Sequence, residues 1–212
     1  MVNKDYWEFS EETVKQVSKE MKKGLNTINK INNDIITIFG SSQIEEGKND
    51  YEHCKKTAFE LGKKGYAIIT GGGQGIMHAA NTGAKKAGAP SIGIRAILIE
   101  EKEVKDNIYT EKIDFEFVFL RRFIMYVKSK AWIFYPGGIG TLDELFECMQ
   151  LKYTGIRDKK PIICVNKKYW KGLFKWMEEN PYKNRFFKHG KIDLKLVHLV
   201  DSTEEILKIL EK

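Results

Sequence analysis

The sequence predicts an α/β fold: a doubly wound open parallel sheet with helices on both faces. Two observations carry this expectation. Short β-rich runs that are apolar at nearly every position alternate with segments of helical length. Strands apolar on both sides belong in a sheet covered on both sides, and parallel strands are covered that way because their crossover connections carry helices. In addition, two glycine-rich stretches come directly after predicted strands, at the carboxyl ends where open parallel sheets bind their ligands.

At the N-terminus, Val14, Val17, Met21, Leu25, Ile28 and Ile31 recur at spacings of three and four behind Ser10-Glu11-Glu12. That pattern predicts an amphipathic helix within residues 1–30, packed on the rest of the domain. Strands are predicted at 35–39, 67–70, 91–94, 115–119, 132–135 and 162–165, with helices at 51–63, 76–86, 122–130 and 141–153. Pro90, Pro136, Pro161 and Pro181 fall before strands or in turns, so none contradicts a helix. No repeat or linker divides the chain, and residues 1–212 are expected to form one Rossmann-like nucleotide-binding domain. The loops after Phe39, Thr70, Phe119 and Tyr135 should carry its function.

Composition narrows the classes of function. With 42% hydrophobic and 31% charged residues over 212 positions, the chain can bury a core and is not a disordered or fibrous sequence. No apolar stretch approaches the ~18 residues of a spanning helix, and MVNKDYWEF lacks the apolar segment of a signal peptide. A cytoplasmic protein is expected. Cys54, Cys148 and Cys164 are scattered in apolar patterns and imply no disulfide. His53, His78, His189 and His198 form no metal-ligand spacing, so no metal is expected. The net charge of +7 favours an anionic partner. Its basic residues are scattered pairs such as Lys22-Lys23, Lys55-Lys56, Lys63-Lys64 and Lys85-Lys86, which read as a solvated surface. Neither nucleic acid nor a membrane is expected as a partner; a phosphorylated small molecule is.

The chemistry is concentrated in the glycine stretches. Thr70-Gly71-Gly72-Gly73-Gln74-Gly75 comes after a strand and opens a helix at Ile76, the device that brings backbone N–H groups and a helix N-terminus to an anion. A tight turn without a ligand explains it equally well. It lacks the Lys-Ser/Thr ending of a P-loop, and the next strand ends near Arg95 where an NAD site needs an acid. Pro136-Gly137-Gly138-Ile139-Gly140-Thr141-Leu142-Asp143-Glu144 repeats the device. Thr141 and Glu144 there match the T-x-x-E capping box, which by itself accounts for Glu144 without catalysis.

IITGGGQGIMHAANTGA (68–84) and FLRRFIMYVKSKAWIFYPGGIGTLDELFE (119–147) resemble the two signature regions of the LONELY GUY family. These are the cytokinin riboside 5′-monophosphate phosphoribohydrolases and related nucleosidases, formerly labelled lysine decarboxylase-like. The order GSS, GGG-x-G-x-M, R-K, PGG-x-GT-x-x-E is kept from about residue 35 to 176. The Asn107 and Tyr109 spacing and QLKYTG (150–155) resemble the longer bacterial branch.

The resemblance implies hydrolysis of the N-glycosidic bond of AMP or an N6-modified AMP, with Arg121, at the end of a predicted strand, and Glu144 as the catalytic pair. It assigns substrate binding to Gly72, Gly73, Gly75, Met77, Arg122, Gly137, Gly138, Gly140 and Thr141. No cofactor is implied, and a homodimer or higher homo-oligomer is. The alternative is a non-catalytic carrier of a nucleotide or molybdenum cofactor on the same fold. Lysine decarboxylation is rejected, because the sequence shows no constellation for a pyridoxal phosphate lysine. Departures fall at Arg122 in place of the lysine of R-K, at His78, and at Leu98-Ile99-Glu100-Glu101-Lys102, where only Glu101 keeps its family identity. Tyr126, Trp132, Tyr169, Trp170 and Trp176 are expected mainly in the core or at a subunit interface, and Cys148 and Met149 as packing residues.

Overall fold

The computed structural model describes residues 10–97, 107–156, 160–188 and 195–211. Strands β1 (Ile35–Phe39), β2 (Ala67–Thr70), β3 (Ser91–Ala96), β4 (Glu111–Phe115), β5 (Ser129–Phe134), β6 (Ile162–Val165) and β7 (Val197–Val200) build one sheet in the order β4-β3-β2-β1-β5-β6-β7. Every neighbouring pair is parallel. Helices α1 (Glu11–Asn29), α2 (Asn49–Lys63), α3 (Ile76–Lys86), α4 (Val118–Val127), α5 (Ile139–Tyr153), α6 (Lys167–Met177) and α7 (Thr203–Leu210) cover it. The doubly wound α/β expectation is therefore what the chain adopts.

Alternation along each strand divides the interior into two cores. In β5, Trp132 and Phe134 join Ile69, Leu145 and Trp170 on one face, while Ala131 and Ile133 join Ile38, Leu61 and Ile206 on the other. The central strand β1 is buried at every position. Ser10 caps α1 as expected, its side chain accepting from the Thr13 amide at 3.2 Å. Cys54, Cys148 and Cys164 are buried and unbridged. No helix among the described residues is long and apolar enough to cross a membrane.

The structure corrects one region. The predicted strand at 115–119 and helix at 122–130 are instead β4 at Glu111–Phe115 and α4 at Val118–Val127. β4 is the edge strand, with Glu111, Lys112 and Asp114 exposed and only Ile113 and Phe115 buried, so it lacks the continuous apolar run of an interior strand. The run that reads as β is the start of a helix, and Arg121 lies on α4 rather than at a strand end. Elsewhere β3 extends to Ala96, α5 begins at Ile139, and Pro181 lies inside a π-helical turn, Glu178–Tyr182, that continues α6. Helices α6 and α7 and strand β7 have no counterpart among the predicted elements.

The chain winds outward from β1 through β2, β3 and β4, then returns to place β5 on the other side of β1. The order reverses between β1 and β5, which opens a crevice at their carboxyl ends.

Candidate active site

Three loops meet at that crevice and are hydrogen-bonded together. The Ser41 amide, after β1, donates to Pro136 O, after β5, at 3.0 Å; the Ile76 amide at the start of α3 donates to Ser41 O at 3.0 Å. Gly75 makes the second contact feasible. It has φ +64°, and a Cβ there would collide with Ser41 O, so neither the backbone conformation nor the space admits a side chain.

Beneath the first glycine turn lies a buried polar network. The Gly72 amide donates to Thr70 Oγ1 at 3.0 Å, and the Thr70 hydroxyl donates to Asn81 Oδ1. Asn81 Nδ2 in turn donates to Ser91 Oγ at 2.9 Å, and the Ser91 hydroxyl donates to Asn81 O at 3.2 Å. Thr70, Asn81 and Ser91 are all fully buried, so their polar groups must be satisfied by one another. Sequence reasoning missed this triad. Its signal was Asn81, a polar residue among the small apolar residues Ala79, Ala80 and Ala84 of α3.

At the second turn α5 begins with Gly138 as its N-cap and no side-chain cap. Thr141 is the third helical residue and Glu144 the sixth, so the T-x-x-E capping box expected from sequence does not form. Such a box does close α7, where Ser202 and Glu205 bond reciprocally. Gly137 packs against Thr141, whose Oγ1 a Cβ there would strike, whereas Gly138 and Gly140 have nothing within 4 Å on that side. The opening amides of α5 have no intrahelical acceptors and carry the positive end of its dipole.

Relieved of a capping role, Glu144 turns to Arg121. Arg121 Nη2 donates to Glu144 Oε1 at 3.3 Å, and both residues are more than nine-tenths buried. The Nε and Nη1 atoms of Arg121 are buried with no acceptor among the described residues. A Cβ on Gly71 would lie 2.8 Å from Met77 Sδ and 3.5 Å from Arg121 Nη1. Gly71, Met77, Arg121 and Glu144 thus share one corner, between the first glycine turn and α5.

Other expected residues go elsewhere. Arg122 donates to Asp143 Oδ2 at 2.5 Å and sets Nε 3.0 Å from Glu147 Oε2, bracing α4 against α5. His78 Nδ1 is 2.6 Å from the Tyr51 hydroxyl on α2. Leu98 to Lys102, Glu101 included, lie outside the described residues. Tyr126, Trp132 and Trp170 are in the core and Tyr169 and Trp176 are exposed; Cys148 and Met149 are buried. Burial and the Glu144 carboxylate push the Cys148 thiol pKa well up, so it stays protonated and inert. Among the described residues no His, Cys, Asp or Glu cluster could hold a metal ion.

A family model described as "Possible lysine decarboxylase" matches residues 77–210. The chain belongs to that family. Curated relatives include the cytokinin riboside 5′-monophosphate phosphoribohydrolase of Mycobacterium tuberculosis, 34% identical over 116 residues, which are 54% of this chain and 62% of that one. The enzyme of the same name from Mycobacterium marinum is 28% identical over 120 residues, 56% of this chain and 64% of that one. The matched region therefore spans somewhat less than two thirds of these relatives, and the LONELY GUY resemblance holds.

Among solved structures, the molybdenum cofactor binding protein from Rippkaea orientalis superposes with a TM-score of 0.63 at 20% identity, over 85% of this chain and 97% of that one. The molybdenum cofactor carrier protein of Chlamydomonas reinhardtii gives 0.61 at 20% identity, over 85% and 99%. These two share the fold. The family match starts at Met77 and takes in Arg121 and the whole second glycine turn; the first turn lies just upstream of it.

Proposed function

We propose that the protein hydrolyses the N-glycosidic bond of a nucleoside 5′-monophosphate, AMP or an N6-modified AMP, to the free base and ribose 5-phosphate. One observation carries the reading: a buried arginine–carboxylate pair, Arg121 with Glu144, stands beside two glycine turns at the sheet's switch point. The names of the mycobacterial relatives support it.

In this reading the 5′-phosphate is held by the amides of Gly73 and Gly75, with Gly72 shaping the turn while its own amide is bonded to Thr70, and by the start of α5 at Gly137, Gly138, Gly140 and Thr141. Met77 lines the corner occupied by the ribose. As the C1′–N bond breaks, positive charge develops at C1′; the Glu144 carboxylate stabilises it and orients the attacking water, whose oxygen bonds to C1′ while the base leaves with a proton. Arg121 fixes the Glu144 carboxylate with Nη2 and offers Nε and Nη1 to substrate oxygens, which gives those two buried donors their acceptors. Arg122 acts through α5, holding the helix that presents Glu144. Water is the only co-reactant.

The protein is also proposed to act as a homodimer or higher homo-oligomer. Phe119 and Phe123 on α4 and Ile139 and Phe146 on α5 are exposed beside the site, and two copies of such a face cover one another.

The test incubates the protein and its Glu144→Gln variant with AMP, an N6-modified AMP, GMP, CMP, UMP and adenosine, and monitors base by chromatography. Base is expected from a monophosphate, not from adenosine, and not in the variant. Tight nucleotide binding without base release overturns hydrolysis in favour of a carrier.

A further inference from the structure

Each glycine turn is held by a tyrosine hydroxyl arriving from a distant part of the chain. Tyr109, just before β4, donates to Gly72 O at 3.0 Å; Tyr169, on α6, donates to Gly137 O at 2.5 Å. The peptide bonds are trans among the described residues. In a trans peptide the carbonyl and the next residue's N–H point in opposite directions. Fixing Gly72 O on Tyr109 therefore turns the Gly73 N–H away from that ring, and fixing Gly137 O on Tyr169 does the same for the Gly138 N–H.

We propose that Tyr109 and Tyr169 are positioning residues, latches that aim the Gly73 and Gly138 amides at the substrate phosphate. This rests on the phosphate-binding reading of the two turns. Consecutive glycines need such a latch because their backbone rotates with little steric restraint and they have no side chains to lock it. Amide donors that are already aimed stabilise an anion without reorganising on binding.

The surroundings restrict both tyrosines, Tyr109 through ring contact and the half-exposed Tyr169 through its backbone. Tyr109 lies on Gly93, where a Cβ would come within 2.7 Å of the ring; any other residue at 93 would displace it. Tyr169 is set by Asn166, which holds a left-handed φ of +78° rare for a residue with a side chain. Asn166 Oδ1 accepts from the Tyr169 amide at 3.1 Å, capping α6, while Nδ2 donates to Asp50 Oδ1 at 3.2 Å. Asp50, Asn166, Tyr169 and Gly137 thus form one chain of contacts from α2 to the second turn.

The test removes one oxygen at a time with Tyr109→Phe and Tyr169→Phe. Calorimetry measures AMP and adenosine affinity, base release gives KM and kcat, and thermal melting checks the fold. Each variant is expected to weaken AMP binding about five- to tenfold, the effect of one neutral hydrogen bond lost behind the phosphate-facing amide, with adenosine affinity and kcat within about twofold of the parent. Unchanged AMP affinity, or equal losses for AMP and adenosine, overturns the latch. The outcome is separable from hydrolysis: parent protein that binds AMP without releasing base, with phenylalanine variants that bind it more weakly, supports the latch and defeats the hydrolase reading. Base release with neutral variants does the reverse.

Discussion

Arg121 on α4 and Glu144 on α5 meet through a single hydrogen bond, Nη2 to Oε1 at 3.3 Å, rather than through a two-pronged fork. Arginine–carboxylate pairs are frequently bidentate. Here two guanidinium nitrogens remain buried without an acceptor among the described residues, an arrangement that costs stability until a third group enters. Substrate oxygens are such a group, and the proposed reaction brings them to this corner.

Glu144→Gln is expected to fold and bind nucleotide but to lose about 10²- to 10⁴-fold in base release. Arg121→Ala has a second consequence, because it leaves the Glu144 carboxylate buried without its cation. A loss of about 3 kcal/mol in urea unfolding is expected. An Arg121→Ala protein as stable as the parent would show that Glu144 is solvated, contrary to its burial.

Two glycines distinguish folding from binding. Gly75→Ala drives a methyl into Ser41 O in a backbone conformation reserved for glycine, and at least about 2 kcal/mol of destabilisation is expected. Gly138→Ala meets nothing within 4 Å, and its φ of −87° suits alanine. Its stability should stay within about 0.5 kcal/mol of the parent, while AMP affinity falls because the methyl enters the cradle. Parent-like AMP binding by Gly138→Ala would remove the phosphate from the second turn.

Strands whose apolar runs are continuous were legible in the sequence: 35–39, 67–70 and 162–165 match β1, β2 and β6 to the residue, as 76–86 matches α3. Interior strands announce themselves because both faces are buried. The edge strand β4 did not, since its polar outer face breaks the run, so the apolar start of α4 reads as the strand and Arg121 is misplaced with it. The two turns of the candidate site were legible as glycine clusters after strands, although only Gly72 and Gly75 hold a positive φ that requires glycine. Glu144 was ambiguous because T-x-x-E fits both a cap and a catalytic motif, and only the start of α5 at Ile139 decides against the cap. Tyr109, Tyr169 and Asn81 act across separations no local pattern records.

Asn81 ties α3 to β3 beneath the first turn through Thr70 and Ser91. Asn81→Ala leaves both hydroxyls buried and short of partners, at an expected cost of about 2–3 kcal/mol. The urea midpoint measures it. AMP affinity should fall with it, because Thr70 also accepts from the Gly72 amide.

Phe123 is half-exposed on α4 with Phe119 one turn away. Phe123→Glu places a charge in the proposed subunit interface, and sedimentation should show dissociation with the fold retained. A parent protein that sediments as a monomer at micromolar concentration would rule out this face as a stable contact.

His53 supplies a pH dependence. Its Nδ1 lies 2.9 Å from the Tyr135 hydroxyl, directly before the second glycine turn, and its Nε2 is buried without a partner among the described residues. Burial lowers its pKa below the ordinary 6.5, and Lys56 adds to that, while Asp50, Glu204 and Asp201 oppose it. With the folded pKa below the unfolded one, the unfolded chain takes up its proton first as pH falls. This contribution to stability is complete above 6.5 and is lost as pH drops through the folded value. The melting temperature is therefore expected to fall between pH 7 and pH 5 more steeply in the parent than in His53→Gln, which does not titrate there. Parallel pH profiles for the two proteins would show that His53 is protonated as readily folded as unfolded.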